Sequence, residues 1–210
     1  MFAPDIKFAR LVLFANGLVP ATLLAWDAYH GKLGANPIEF ATRATGVLAL
    51  VFLFVTLAVT PLRKLTGAHW LVKLRRQVGL YAFFYGCLHL LTYVWFDKFF
   101  GAREIVEDVW ARPFITIGMA SFLLLVPLAA TSTNGMIKRL GGKRWAKLHK
   151  LTYLAAIGGV VHFYMGVKID TTIPILFAVV LAVLLGYRWV RSRMDETPKS
   201  ATLDIQARPR

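Results

Sequence analysis

Six blocks of apolar residues, each about one bilayer crossing long, alternate along this chain with short polar segments rich in Lys and Arg. A helical crossing needs roughly 20 such residues. The blocks cover about 8–29, 41–60, 78–96, 113–130, 148–167 and 173–190, the second closed by Pro61. Helix is the expected conformation, because an open strand leaves its backbone unsatisfied in lipid. The polar/apolar alternation of a barrel strand is absent. The pattern predicts an all-α integral membrane protein, a six-transmembrane-helix bundle over residues 1–194. Residues 195–210 are expected to be a polar, disordered cytoplasmic tail.

Charge orients the bundle. Lys7 and Arg10, the 63–76 connection, the 138–150 connection and the C-terminal segment from Arg188 onward hold 19 of the 25 basic residues. The other side holds Lys32, Arg43, Lys98, Arg103, Arg112 and Lys168, mixed with Asp27, Glu39, Asp97, Glu104, Glu107, Asp108 and Asp170. The positive-inside rule then puts both termini in the cytoplasm. Trp26, Trp95, Trp110, Trp145 and Trp189 fall near block ends, where interfacial anchors belong.

Composition agrees: 57% of the residues are hydrophobic, and the mean hydropathy is +0.57. The net charge of +14 follows from topology and lipid contact, and no nucleic-acid partner is expected. Cys87 is the one cysteine, which excludes a disulfide or thiolate cluster within the chain. No cleavable signal core is evident, and the first block is expected to stay as an anchor. Neither a phosphate loop after a strand nor a strand–helix alternation suggests a nucleotide domain.

The chemistry concentrates in histidines. His89 lies 13 residues beyond Arg76 in the third block, and His162 lies 13 residues beyond His149 in the fifth. At ~1.5 Å per residue, both reach ~20 Å above the cytoplasmic face. Two neutral imidazoles at one level are what a bis-histidine haem iron needs. Hydrogen bonding between helices would explain a lone histidine; a matched pair in lipid favours haem. His149 is open to three readings: ligand of a second haem, partner of a propionate, or solvated member of the basic run. At ~100° per residue it sits ~140° from His162, so a common cleft needs an irregularity, which Gly158 and Gly159 permit. Arg75 lies within ~40° of the His89 face and suits a propionate or topology alone. Gly79, Gly86, Gly158, Gly159 and Gly166 allow close approach of a helix or a flat macrocycle. Tyr81, Tyr85, Tyr153 and Tyr164 read as packing or interface residues.

The segment 142–153, GKRWAKLHKLTY, resembles the W-x-x-L-H-x-L-x-Y signature of the ferric-reductase-like transmembrane family. RRQVGLYAFFYGCLH, ending at His89, resembles that family's third helix. Within it the resemblance is to the haem-binding membrane subunits that serve periplasmic protein-methionine-sulfoxide reductases, and it covers nearly the whole chain. The resemblance implies one haem b, or two, with His89, His149 and His162 as the matching haem histidines. It implies electron transfer across the bacterial inner membrane to a periplasmic molybdopterin enzyme that reduces methionine sulfoxide. Related NADPH oxidases carry two histidines on each ligand helix. Here Arg75 and Arg76 stand at the corresponding end of the third helix, with His69 as a substitute ligand or a plain loop residue.

With no room for a dinucleotide domain, electrons are expected from the quinone pool or a cytoplasmic flavin reductase, with FMN as a candidate bound flavin. The basic face, including Arg75 and Arg76, suits a flavin phosphate or an acidic donor. The acidic stretch 97–108 is expected as a loop that docks the periplasmic partner or is merely solvated. Two alternatives stand beside this reading. One is a haem b, quinol-oxidising subunit of another periplasmic oxidoreductase. The other is a small transporter or scaffold, for which the broken helices and repeats of transporters are missing.

Overall fold

The computed structural model describes residues 4–196, and its regular structure is helical throughout. The long helices are α1 (Ile6–Tyr29), α2 (Pro37–Thr66) and α3 (Arg75–Thr92), the last prolonged by one π-helical turn (Tyr93–Asp97). Next come α4 (Ala102–Ala111), α5 (Pro113–Ala130), α6 (Asn134–Leu140), α7 (Gly142–Leu148), α8 (Leu151–Gly166) and α9 (Thr172–Glu196). Five of them (α1, α2, α3 with its π turn, α5 and α9) are long and apolar enough to cross a membrane. The expected fifth span corresponds to α8, whose 16 residues rise only ~24 Å. The chain is therefore an all-helical multi-pass membrane protein. Of the expected tail, Asp195 and Glu196 continue α9, and 197–210 lie outside the described residues.

Local chemistry explains the ends. Asn36 caps α2 by accepting from Glu39 N, Pro37 enters its first turn, and Gly67 stops it at φ 70°. Pro61 was expected to close this helix but lies inside it. With no N–H it leaves the Leu57 carbonyl without its helical donor. Arg188 of α9 supplies one instead, donating from Nη2 at 2.6 Å. The helix therefore continues, because another helix takes over the bond.

The segment 97–108, expected as a loop, contains most of α4. Asp108 accepts from Tyr93 Oη at 2.8 Å, from Lys98 Nζ at 2.9 Å and from Arg112, tying α4 to the end of α3. The irregularity that a common cleft for His149 and His162 would need at Gly158–Gly159 is not formed: α8 runs unbroken through both glycines, and a turn at His149–Lys150 separates it from α7.

α2 packs along α3, and α5 along α8. α9 covers α2 and α8, while α1 leans on α3. The core where α2, α3, α8 and α9 meet holds Leu50, Leu53, Phe54, Leu57, Ala82, Ala156, Val160 and Leu181. α1 is fastened by two tyrosines: Tyr81 donates to Phe14 O and the buried Tyr85 to Gly17 O, each at 2.7 Å.

Candidate functional site

A cavity of about 610 Å³ opens between α2, α3, α5 and α8, toward the end that carries the 30–36, 98–112 and 167–171 connections. That size lies within the ~300–1,000 Å³ range typical of cofactor sites. Its walls are mostly apolar, with Leu50, Leu53, Phe122 and Leu125 among them. Gly86, Gly159 and Gly166, anticipated as places of close approach, line it.

His89 of α3 and His162 of α8 face each other across this space. Their ring centres are 5.9 Å apart and their planes cross at 79°. His89 Nδ1 lies 2.8 Å from Thr42 O and His162 Nδ1 lies 2.7 Å from Phe114 O. A carbonyl can only accept, so each Nδ1 carries the hydrogen and donates it. Each Nε2 then keeps its lone pair, the tautomer that a metal ligand needs.

Two glycines make these bonds possible. Gly46 follows Thr42 by one helical turn, and Gly118 follows Phe114 in the same way. A Cβ on Gly46 would lie 2.9 Å from His89 Nδ1, and one on Gly118 only 2.5 Å from His162 Nδ1. Each imidazole thus rests in a notch that any side chain would fill. The two halves of the site are built alike: a histidine on one helix, and a carbonyl plus glycine on the helix packed against it. Sequence reasoning missed Gly46, Gly118 and their carbonyl partners. The visible signal was a glycine in the second and fourth blocks, but periodicity does not tell which ring a glycine will meet.

The notches and the spacing fit haem. Two metal–imidazole bonds of about 2 Å each hold ring centres roughly 6 Å apart. Among the described residues, no third His, Cys, Asp or Glu joins the pair to form a free-ion site. Two imidazoles therefore suit an iron whose remaining ligands come from a porphyrin. Arg43 and Arg112 stand among the polar residues at the mouth, positions the sequence reading treated only as topology charges. Arg43 pairs with Glu39 at 2.6 Å, and Arg112 is held by Asp108. Arg112 Nε is buried without a partner. Asp108 lies beyond the spans. Its burial opposes ionisation, but the bonds from Arg112, Lys98 and Tyr93 prevail and hold its carboxyl down at about 2.

His149 is not brought into this cavity. It ends α7 at the opposite, basic end, stacked on Trp145 with ring centres 3.8 Å apart and with Nε2 3.2 Å from Thr131 Oγ1. Arg75 also stays at that end, within electrostatic reach of His149, Arg188, Tyr153 and Arg63. Arg76 turns to the exposed surface and donates to Asn134 Oδ1 at 2.6 Å. His69 is exposed in a 3-10 turn, His69–Lys73.

Comparison with known proteins points the same way. Residues 44–160 match the family described as "Ferric reductase like transmembrane component". A protein of Herminiimonas arsenicoxydans is 52% identical over 187 residues, covering 88% of this chain and 86% of its own. One of Azospira oryzae is 53% identical, covering 89% and 80%. One of Rhodospirillum rubrum is 49% identical, covering 88% of each. All three are called "Protein-methionine-sulfoxide reductase heme-binding subunit MsrQ".

Proposed function

This chain belongs to the ferric-reductase-like transmembrane family, among its MsrQ heme-binding subunits, and from that premise we propose that it holds haem b between His89 and His162 and relays electrons across the bacterial inner membrane. The acceptor in this reading is a periplasmic, molybdopterin-dependent protein-methionine-sulfoxide reductase. The observation that carries it is the facing pair of imidazoles, each with its Nδ1 bonded to a helix carbonyl and both set in one apolar cavity. The charge asymmetry supports six crossings with both termini in the cytoplasm, α8 being the short one. The cavity then opens toward the periplasm, near the acceptor.

When bound, haem supplies one-electron redox chemistry. The protein's part is to position and to tune. His89 and His162 present Nε2 in fixed orientations, because a ring that rotated would give up its carbonyl bond. Arg43 and Arg112 at the mouth would meet carboxylates of the macrocycle, and Asp108 keeps Arg112 there. The apolar walls exclude water from the reacting centre. His149 belongs to a separate site at the basic end and would be the ligand of any second haem. Arg75 and Arg76 stand at that same end, where electrons enter from quinol or from a flavoprotein donor, with FMN as the candidate bound flavin.

Reconstitution tests the relay. The purified chain, reduced by a quinol or by a flavin reductase, is mixed with a periplasmic methionine sulfoxide reductase and, separately, with an unrelated molybdopterin enzyme. Reoxidation by the first alone is expected. Equal reoxidation by the second would assign the chain to a different oxidoreductase.

A further inference from the structure

Arg188 breaks the pattern of the other basic residues. A charge that serves only topology extends its head to water. Arg188 instead turns into the bundle. Its Nη2 takes the Leu57 carbonyl that Pro61 leaves free, at 2.6 Å, and its Nη1 donates to Tyr153 Oη at 2.9 Å. The guanidinium also lies over the Tyr153 ring, 5.3 Å from its centre. These partners are neutral, so they fix the group without cancelling its charge. Its Nε is buried with no partner at all.

Two more arginines gather beside it. Arg75 opens α3 and Arg63 lies in the last turn of α2; both are half-buried, and Arg75 lies within electrostatic reach of Arg63 and of Arg188. No carboxylate contacts any of the three among the described residues. Arg75 beside two like charges at the edge of a low-dielectric bundle is repelled by both, a cost that a bound anion offsets. Arginine forks match the oxygens of a phosphate.

We propose that Arg63, Arg75 and Arg188, ordered by Tyr153 and by the carbonyl that Pro61 releases, form a phosphate-binding site at the basic end of the bundle. The site deepens the role given to Arg75 above. It does not depend on haem between His89 and His162, and the two readings fail separately. Phosphate can come from an acidic phospholipid or from a soluble phosphomonoester. The exposed Leu62, Leu65 and Trp189, next to Arg63 and Arg188 in sequence, offer a surface for an acyl chain. The three arginines are only half-buried, so a soluble ligand can also reach them.

The test uses the full chain with its haem. One arm compares FMN with riboflavin, which differ by the phosphate. The other compares retention of phosphatidylglycerol and phosphatidylcholine by native mass spectrometry after transfer from nanodiscs. At least tenfold preference for the phosphorylated or anionic member of one pair is expected. The arm that shows it identifies the source. In the double variant Arg63→Gln/Arg188→Gln the preference should vanish while haem content stays the same. No preference in either arm with the unaltered chain overturns the proposal, and this arm needs no variant to fold. A preference that survives the double variant, or in Arg63→Gln alone if the double variant does not fold, also overturns it. So does loss of haem in a folded variant, which would mean that these arginines hold a porphyrin carboxylate.

Discussion

Gly118 sets how near α5 can bring its backbone to the His162 ring. With a methyl group there, the ring must shift by more than a few tenths of an ångström, because Nδ1 would lie 2.5 Å and Cε1 2.7 Å away. Such overpacking costs about 1–3 kcal/mol, and loss of the bond to Phe114 O about 0.5–1.5 kcal/mol more. Gly118→Ala is therefore expected to weaken haem binding at least tenfold, read by titrating haem into the emptied protein. Gly46→Ala, where the contact is 2.9 Å, should have the smaller effect. Equal affinities for all three proteins would show that the notches do not seat the rings. The histidines themselves were legible in the sequence, since 13-residue offsets from two basic segments place them at one height. Their carbonyl partners were not, because a backbone acceptor has no residue signature.

Among the elements, α1 and α4 make opposite contributions. α1 contributes no residue to the cavity wall, and its grip on α3 depends on Gly17, where a Cβ would fall 2.3 Å from Tyr81 Cζ. Gly17→Ala is expected to lower thermal stability by about 1–3 kcal/mol and to leave the haem spectrum unchanged. A changed spectrum would mean that α1 shapes the site. α4 acts through Asp108, whose side chain is only 13% exposed. A carboxyl held at about 2, below its ordinary value near 3.9, stabilises the fold fully above that ordinary value. The contribution is lost as pH falls through about 2. Following the carboxyl carbon by NMR should give a midpoint near 2, and one near 4 would contradict the pairing. Asp108→Asn should speed hydrogen exchange across 102–111 and loosen Arg112 at the mouth. Here the sequence misleads: the acidic stretch reads as a solvated or docking loop, yet its last carboxylate is turned inward against three donors. Pro61 misleads in the same way. Its effect on α2 depends on Arg188, which lies 127 positions later and is invisible to any local rule.

The whole molecule is a bundle with two chemically different ends. One carries the apolar cavity and its histidine pair, and the other carries the arginine cluster with His149. Hydropathy located the helices but gave six spans, whereas five are long and apolar enough to cross and α8, with 16 residues, falls short. The wheel placed His149 about 140° from His162, and the structure keeps the two apart, His149 capping α7 before α8 begins at Leu151. The central claim, that His89 and His162 grip one iron, is tested most directly by paramagnetic resonance on the purified ferric protein. Crossed imidazole planes, at 79° here, predict a strongly anisotropic low-spin signal that disappears in both His89→Ala and His162→Ala and persists in His149→Ala. Absence of that anisotropic signal from the unaltered protein, or its survival in either of the first two substitutions, would contradict the account.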